Sequence, residues 1–387
     1  MGRHLANAAV RLRGERAPPK VRLSKSGALG TRLATIRFVK RDEGVRLSWQ
    51  GKTCVFDPAT TEELRKVLVA QDGKGRLYLG DNRAALASMT STELNGRVSL
   101  AYLDPPFLTN RAFEAIEQSA PESGKRVVRS GPLKARPKKF AFDDRWASRG
   151  EYLEALGQRL VLVRELLAPH GSVVIHVDPK TSHYVKVLCD EIFGDDAFAS
   201  EIIWRYRRWP SKTPNFQRVH DVLLRYRKDP KAAPRWNQPY EPLAASTLAT
   251  WGTKKQRAVF EDDGRRARSS RTEEATKGVP MGDVWEIGVL APISKERTGY
   301  PSQKPEALLE RLVSALSDPG DIVLDPYAGS GTTLAVAARL GRSFVGCDAS
   351  DVAFEIAEKR LATAGICFEA AEELAAPASA KGLRRSA

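Results

Sequence analysis

Short runs of apolar residues alternate with segments of helical spacing along most of the chain. Leu77–Leu79, Val98–Leu103 and Val173–Val177 are apolar over the length of one strand except at Ser99 and His176, which predicts buried β-strands. Leucines and valines recur at helical spacing over 151–168, which predicts a helix. Continuous apolar strands that alternate with helices are typical of a mostly parallel sheet covered on both faces. The pattern therefore predicts an α/β fold.

The alternation continues to residue 364 with one interruption. The remaining predicted elements are a helix around Val185–Ile192 closed by Gly194, strands at Ile202–Tyr206 and Val222–Tyr226, a helix from Pro305, a strand at Ile322–Leu324, a helix over 332–340, a strand at Phe344–Val345 and a helix over 351–364. Residues 231–298 interrupt the pattern, because they are polar, rich in Arg and Lys, and carry three tryptophans. The core does not need this stretch for closure, so it is predicted to be an insert.

The two ends of the chain differ from the α/β part. Residues 1–30 are rich in Arg, Lys, Gly, Ala and Pro without periodicity, which predicts a disordered basic tail. An alternating stretch at Thr35–Val39 predicts a strand, and a short helix is predicted near Glu62–Ala70. The predicted division is therefore 1–30 tail, 31–72 N-terminal appendage, 73–230 first α/β half, 231–298 insert, 299–366 second α/β half and 367–387 C-terminal tail.

Composition adds a bias towards nucleic acid. The net charge is +15 and the pI is near 9.7, which favours a polyanionic partner. Much of the excess lies in residues 1–50, so a solvated basic surface would also account for it. We find no run of about 18 apolar residues that would predict a membrane span. Four scattered cysteines without a Cys-x-x-Cys pair indicate a reduced, cytoplasmic protein with neither a disulfide framework nor a metal site.

A strand, a glycine turn and a helix start follow one another at Ile322–Thr333. Gly329 and Gly331 permit positive φ and close approach of the backbone to a ligand, and the free amides of the helix start can bind a carboxylate or a phosphate. Asp348 follows Asp325 by 23 residues, at the end of the next strand, where a carboxylate can hold ribose hydroxyls. A dinucleotide site without the third glycine, a phosphate loop without Gly-Lys-Ser/Thr, and a tight turn without a ligand all stay open on these residues alone.

Asp104-Pro105-Pro106-Phe107 follows an apolar strand directly. Asp-Pro is an ordinary way to begin a turn, but ligand sites of α/β sheets also lie beyond the carboxyl ends of strands. The residue types suit an exocyclic amine, whose lone pair is conjugated with its ring. A carboxylate and a backbone carbonyl can hold the two N–H bonds and direct the lone pair at a methyl group. Prolines stiffen the turn, and the aromatic ring can stack on a base flipped out of a duplex.

These motifs and their order resemble the β class of amino methyltransferases that act on DNA. In that family the Asp-Pro-Pro-Tyr/Phe motif precedes the recognition region and then the glycine motif, as in this chain. The other family-like segments, within 76–365, are Leu79-Gly80-Asp81-Asn82, Phe142-Asp143-Asp144-Arg145-Trp146, Arg218-Val219-His220-Asp221 and Tyr300-Pro301-Ser302-Gln303-Lys304-Pro305, with Ser302 in place of the family's Thr. One departure is Leu108-Thr109, where the family often has Asn-Thr.

The resemblance implies a Rossmann-like, S-adenosylmethionine-dependent methyltransferase fold with a circularly permuted motif order. Residues 73–230 would be its catalytic half, 299–366 its S-adenosylmethionine-binding half and 231–298 its target recognition insert. The catalytic residues it implies are Asp104, which would orient the amine, Pro105 and Pro106, of which the first would offer its carbonyl, and Phe107, which would stack on the base. The cofactor residues it implies are Asp325, Ala328, Gly329, Gly331 and Thr332 at the methionine part, Asp348 at the ribose, Asp81 and Asn82 at the adenine ring, and Gln303 and Lys304 at the border of the pocket.

The resemblance also implies double-stranded DNA as the substrate, and it favours adenine N6 over cytosine N4 because the motif begins with Asp. A homodimer and a restriction-system partner subunit are compatible with it, and the basic loop 124–139 would grip the backbone around the flipped base. An RNA or protein acceptor stays open. So does a catalytically silent DNA-binding module on the same fold, although the loss of Asp104 or of the glycines that would mark it is not found. A C5-cytosine enzyme is disfavoured because no cysteine follows a proline.

Overall fold

A ten-stranded sheet organises the computed structural model, which describes residues 47–49, 52, 64–116, 137–208, 212, 214–253, 258–268 and 275–371. The strands, in chain order, are β1 (Leu64–Ala70), β2 (Gly75–Gly80), β3 (Val98–Leu103), β4 (Ala112–Ile116), β5 (Lys138–Asp143), β6 (Leu167–Val177), β7 (Phe198–Arg205), β8 (His220–Arg227), β9 (Tyr240–Glu241), β10 (Ala258–Phe260), β11 (Arg266–Arg268), β12 (Val279–Pro280), β13 (Val284–Glu286), β14 (Ile322–Asp325), β15 (Ser343–Asp348) and β16 (Phe368–Ala370). The helices are α1 (Asn82–Met89), α2 (Arg149–Leu166), α3 (Ser182–Phe193), α4 (Ala245–Trp251), α5 (Glu306–Leu316), α6 (Thr332–Arg339) and α7 (Asp351–Thr363).

Five parallel strands form the centre of the sheet. The strand order is β13-β7-β8-β6-β3-β14-β15-β2-β1-β16, and β6, β3, β14, β15 and β2 run parallel to one another. Antiparallel pairs flank this centre on both sides. The predicted α/β fold with a mostly parallel sheet is confirmed. Because β3 and β14 are neighbours, the two turns singled out in the sequence leave the same edge of the sheet side by side.

Helices bury both faces of the sheet, as predicted. One apolar cluster joins α1, α2 and α3 to the sheet, and the other joins α5, α6 and α7 to the opposite face. Along β3, Leu100 and Tyr102 belong to the second cluster, whereas Ala101 and Leu103 belong to the first. Burial on both faces therefore explains why the strand is apolar on both of its faces, at every position except Ser99, rather than at alternate ones.

Most predicted elements are present with shifted ends. The helix predicted over 151–168 ends at Leu166, and β6 starts at Leu167, well before the predicted Val173. The reason is pairing, since Leu167 already lies opposite Val98 of β3. Gly194 closes α3 with φ 94°, as its position after the last apolar residue predicted.

A strand stands where a helix was predicted near Glu62–Ala70. β1 pairs with β2 through a turn in which Gly73 adopts φ 72°. Val67 and Leu68 are both buried, in clusters on opposite faces of the sheet. The helix prediction is wrong because pairing with β2 and burial on two faces outweigh the weak helical pattern of this short segment.

The sheet extends past the predicted boundaries at 72 and 367. β1 lies in the sheet, so this part of 31–72 does not belong to an appendage. β16, inside the predicted tail 367–387, pairs with β1 through Leu68 and Ala370. The predicted tail 1–30, the predicted strand at Thr35–Val39 and residues 124–136 of the basic loop lie outside the described residues. Where the chain is described, we find no helix that is both long and apolar enough to cross a membrane.

The predicted insert 231–298 begins at the sheet edge opposite the two turns. The amide of Arg235 donates to the carbonyl of His170 at 3.3 Å, and that of Asn237 to the carbonyl of Ala315 at 2.8 Å. These partners lie close to the starts of β6 and β14. Further on, β13 joins the large sheet beside β7. The two ends of the insert are thus part of the α/β framework, and the described residues of its middle, 242–278, add no strand to the large sheet.

Candidate active site

One cavity of about 600 Å³ joins the Asp104 turn to the glycine turn. Its volume falls in the range of roughly 300–1,000 Å³ that small-molecule sites occupy. The predicted site residues that line it are Asp81, Asn82, Asp104, Pro105, Pro106, Phe107, Gln303, Lys304, Asp325, Ala328, Gly329, Thr332 and Asp348. Of the predicted site residues, all of which the structure describes, Gly331 alone is not in the lining.

The two glycines of the turn do different things. Gly329 adopts φ 50°, and a Cβ atom there would lie 3.1 Å from the ring of Tyr300. Its amide donates to Oδ2 of Asp348 at 2.8 Å, which ties the turn to the end of β15. Gly331 adopts φ 72°, and its Cβ atom would lie 2.9 Å from Cβ of Ala357. Gly331 therefore permits close packing of α6 on α7, and its contact with the methionine part of the cofactor stays a prediction.

Two carboxylates at the ends of neighbouring strands, the buried Asp325 and the half-buried Asp348, are unusually easy to protonate. Burial raises the pKa of Asp325 to about 7, although the amide of Tyr327 and a neighbouring hydroxyl donate to the carboxylate. Burial also raises the pKa of Asp348 to about 6, against the backbone amides that it accepts. Strongly perturbed carboxylates inside a cavity are typical of functional sites.

A third strand end contributes Asp81 and Asn82. Asp81 accepts from the amide of Arg83 at 2.7 Å and so caps α1, and it pairs with Arg159 at 2.8 Å. Asn82 donates to the carbonyl of Pro326 at 2.9 Å and accepts from Arg159. Arg159 also lines the cavity. Nothing in the apolar periodicity of α2 marks this arginine, which fixes both predicted residues against the glycine turn.

The Asp104 turn carries an ion pair that was not predicted. The ammonium of Lys304 contacts Oδ2 of Asp104 and lies 5.1 Å from the ring centroid of Phe107. The side chains of Lys304 and Asp104 are 9% and 16% exposed. Oδ1 of Asp104 is buried and has no hydrogen-bond partner among the described residues. A buried acceptor without a donor is costly, so this oxygen is suited to a donor that arrives with a ligand.

Asp144 holds the segment after the turn. Its buried carboxylate accepts from the amides of Leu108 and Thr109, at 2.9 and 2.8 Å, and from the hydroxyl of Thr109 at 2.6 Å. It also accepts from the indole of Trp146 at 3.1 Å. Leu108 has φ 57°, a left-handed conformation that these bonds stabilise. The sequence contains Asp144 in a family-like segment, but its contacts with Leu108 and Thr109 were not predicted.

Gln303 braces its own loop. Its Oε1 accepts from the amide and the hydroxyl of Thr298, at 2.8 and 2.9 Å, and its Nε2 donates to the carbonyl of Glu296 at 2.8 Å. These polar groups are thus engaged within the chain. Gln303 borders the cavity as predicted, but its contacts are those of a residue that shapes Lys304's loop.

A buried polar network lies behind Phe107. The ring of His176 is 5.7 Å from that of Phe107, and its Nδ1 is 2.7 Å from the hydroxyl of Tyr102. Its Nε2 is 3.4 Å from Asp221, which also accepts from Tyr206 at 3.0 Å. Despite burial, hydrogen bonding to His176 lowers the pKa of Asp221, so the carboxylate is charged and favours a proton on Nε2. The network gives the aromatic wall of the site a rigid backing.

The hairpin of β4 and β5 closes the donor side of the cavity. The amide of Ile116 donates to the carbonyl of Gly299 at 3.0 Å, and Phe142 lies 6.2 Å from Tyr300, ring to ring. Tyr300 in turn covers Gly329. Phe140, at the mouth of the cavity, is 61% exposed. The hairpin therefore contacts Gly299 and Tyr300 beside the glycine turn, and Asp144, which directly follows β5, holds the segment after the Asp104 turn.

Comparison with known proteins agrees with this site. Residues 98–359, more than half of the chain, match the N6/N4 methyltransferase family model, described as DNA methylase. The match begins at β3 and ends within α7, so it includes both turns and the cavity between them.

Three similar proteins are bacterial methyltransferases. The chain is 28% identical to the Type II methyltransferase M.HpaI of Haemophilus parainfluenzae, over 70% of this chain and 78% of that protein. It is 27% identical to the Type II methyltransferase M.EcaI of Enterobacter cloacae, over 69% of this chain and 65% of that protein, which is just under two thirds. It is 29% identical to the DNA adenine methyltransferase YhdJ of Escherichia coli (strain K12), over 58% and 71% of the two chains.

Proposed function

The chain belongs to the N6/N4 DNA methylase family, and we propose that it transfers a methyl group from S-adenosylmethionine to N6 of a specific adenine in double-stranded DNA. The observation that carries the proposal is Oδ1 of Asp104, which is buried in the cavity that also contains the glycine turn and has no partner in the described part of the chain. A single cavity can therefore hold a methyl donor on one side and an amine on the other.

The chemistry of acceptance rests on Asp104, Pro105 and Phe107. Oδ1 of Asp104 takes one N–H of the amine, and the carbonyl of Pro105 takes the other. The ring of Phe107 stacks on the flipped base. Holding both N–H bonds in acceptors directs the nitrogen lone pair at the incoming methyl group, so that positioning is the main catalytic device. After transfer, the surplus proton on nitrogen leaves to Asp104 or to water.

The donor side fits S-adenosylmethionine. The left-handed Gly329 brings the turn close to Asp348, and no side chain at Gly329 crowds the cavity. We assign Asp348 to the ribose, Asp81 and Asn82 to the adenine ring, and Asp325, Ala328 and Thr332 to the methionine part. S-adenosylmethionine bound there supplies an activated methyl group. We assign Lys304 to Asp104 rather than to the cofactor, because its ammonium contacts that carboxylate.

Adenine is proposed over cytosine for two reasons. The catalytic motif begins with Asp, which in the resembled class is more frequent in adenine enzymes than in cytosine enzymes. In addition, YhdJ, which is 29% identical to the chain, is a DNA adenine methyltransferase. Physics alone does not choose, because charge-assisted hydrogen bonds serve either amine.

We assign sequence reading to the middle of the insert, 242–278. A homodimer and a restriction-system partner subunit are compatible with the proposal, and the scattered cysteines support a cytoplasmic location. The net charge of +15 supports DNA as the partner.

The test is nucleoside mass spectrometry of plasmid DNA incubated with purified protein and labelled S-adenosylmethionine. We expect N6-methyladenine, and for Asp104→Ala we expect a loss of transfer of about 10²-fold or more with cofactor binding retained, since only the alignment of the amine is removed. N4-methylcytosine without N6-methyladenine would overturn the choice of base. Undiminished transfer by Asp104→Ala would overturn the site.

A further inference from the structure

The connection between β7 and β8 leaves the sheet at the same edge as the Asp104 turn. β7 is parallel to β6 through their shared neighbour β8, so the end of β7 faces the same way as the ends of β6 and β3. The strand order β7-β8-β6-β3 puts two strands between β7 and β3. With strands about 4.8 Å apart, the connection starts roughly 10–15 Å from the Asp104 turn.

Two contacts anchor the base of this connection. The amide of Tyr206 donates to the carbonyl of Val219 at 2.8 Å, which closes its neck. Arg218 pairs with Asp178 at 2.8 Å, and the side chain of Asp178 is only 8% exposed. Asp178 directly follows β6, the strand beside β3. The base is thus attached to the strand end next to the catalytic turn.

Phe216 stands out beyond this anchored base. It is 98% exposed, the highest value among the large apolar side chains that the structure describes. It lies three residues before Val219, so an extended chain carries it up to about 10 Å from the sheet edge. That reach is comparable to the distance from the connection to the Asp104 turn. A single exposed apolar side chain is common on protein surfaces, so the position of Phe216 and the charge around it carry the argument.

Charge identifies the kind of partner. Residues 206–219 contain four cationic residues, Arg207, Arg208, Lys212 and Arg218, and no acidic residue. Arg207 and Lys212 are exposed. An apolar ring among cations, next to a catalytic turn, suits duplex DNA. Proteins that deform DNA insert apolar side chains between base pairs while cations hold the phosphates.

We propose that Phe216 is a wedge that enters the duplex beside the target base pair and occupies the base stack while the target base is turned into the cavity. The exposed Arg207 and Lys212 hold the neighbouring phosphates. This inference rests on the proposed methyl transfer to a flipped base. It adds a second DNA-contacting surface, separate from the insert 242–278.

The test compares two oligonucleotides that carry the same recognition site, one fully paired and one with the target adenine opposite an abasic position. A wedge compensates for unpairing and unstacking, so Phe216→Ala should lower kcat/KM on paired DNA by about tenfold or more. On the abasic duplex, where unpairing is already done, the same variant should be close to wild type. Phe216→Leu keeps an apolar wedge, so its kcat/KM on paired DNA should lie between those of the wild type and Phe216→Ala.

Trp236→Ala is the matched control, because Trp236 is an exposed aromatic residue whose neighbours Arg235 and Asn237 pack at the opposite edge of the sheet. It should not change transfer to either duplex. The wild-type protein must methylate the paired duplex for the comparison to be made, and a wild type without this activity would reject the proposed function itself. With an active wild type, an unaffected Phe216→Ala, or an equal loss on both duplexes, would reject the wedge alone.

Discussion

Lys304 makes the two carboxylate oxygens of Asp104 inequivalent. Oδ2 is held by the ammonium, and Oδ1 is left buried without a donor. A carboxylate that could rotate freely would offer either oxygen to the amine, and the lone pair would point in more than one direction. The ion pair therefore acts on alignment, and the nearby ring of Phe107 keeps the ammonium in place through a cation–π contact.

Lys304→Met should reduce methyl transfer by about 10²-fold, the cost of a small misplacement in a reacting geometry. Cofactor affinity, measured by calorimetry, should stay near the wild-type value because the ammonium contacts Asp104 and not the glycine turn. Lys359→Met, at an exposed position of α7, is the control and should leave both quantities unchanged. If Lys304→Met lost cofactor affinity and transfer in parallel, Lys304 would have to be assigned to the cofactor rather than to Asp104.

At the scale of elements, the β4–β5 hairpin links the two halves of the site. At one end the amide of Ile116 donates to the carbonyl of Gly299, next to Tyr300, which covers Gly329. At the other end Asp144 directly follows β5 and holds Leu108 and Thr109 just after the catalytic motif. A shift of the hairpin on donor binding would therefore be passed to the Asp104 turn through a buried carboxylate.

Asp144→Ala should uncouple these two ends. The amides of Leu108 and Thr109 lose their buried acceptor, which should lower the free energy of unfolding by about 1–3 kcal/mol. Transfer should fall by about 10²-fold because the turn is no longer held. Denaturant unfolding and initial rates measure the two effects, and Asp144→Asn, which keeps one acceptor oxygen, should lie between. Wild-type rates in Asp144→Ala would show that the turn holds its shape without this clamp.

The same scale shows what sequence pattern can and cannot predict. The strands before Asp104 and Gly329 were predictable because a run of apolar residues and the turn after it are local features. Asp144 lies 36 residues from Leu108, and Lys304 lies 200 residues from Asp104, so both contacts depend on the completed fold. β1 escaped prediction for a related reason. Its seven residues acquire strand character from β2 and β16, which the local pattern does not contain.

At the scale of the whole molecule, the charge of one buried side chain couples stability to pH. Asp325 is 2% exposed at the end of the central strand β14, and burial raises its pKa from 3.8 to about 7. Below pH 3.8 both folded and unfolded chains are protonated there and no penalty arises. Between these values the folded chain binds the extra proton, so its free energy of unfolding falls as pH rises. Above pH 7 the full penalty is present, on the order of 4 kcal/mol at most.

Asp325→Asn should therefore unfold at a higher temperature than the wild type at pH 8.5, and the difference should shrink at pH 5.5. The amide oxygen of the variant can still accept from Tyr327, so the local bond is kept. Thermal scans of the protein without cofactor at the two pH values measure the difference. Asp262→Asn, an exposed site, controls for the loss of a charge. A difference of equal size at both pH values would mean that the charge state of Asp325 does not control the pH dependence of stability.

The neighbouring position of β3 and β14 has a consequence for how the molecule comes into being. A ribosome delivers β3 early and β14 late, and until β14 emerges β3 has one unpaired edge, as does β2 until β15 arrives. Parallel pairing across such a separation is slow, and open edges invite association between unfinished chains. The Asp104 turn and the glycine turn are also not adjacent until β14 pairs with β3. A chain that terminates before β14 is therefore expected to be inactive and prone to aggregation, rather than a weaker enzyme. The capacity to methylate DNA arises in a single late step of synthesis.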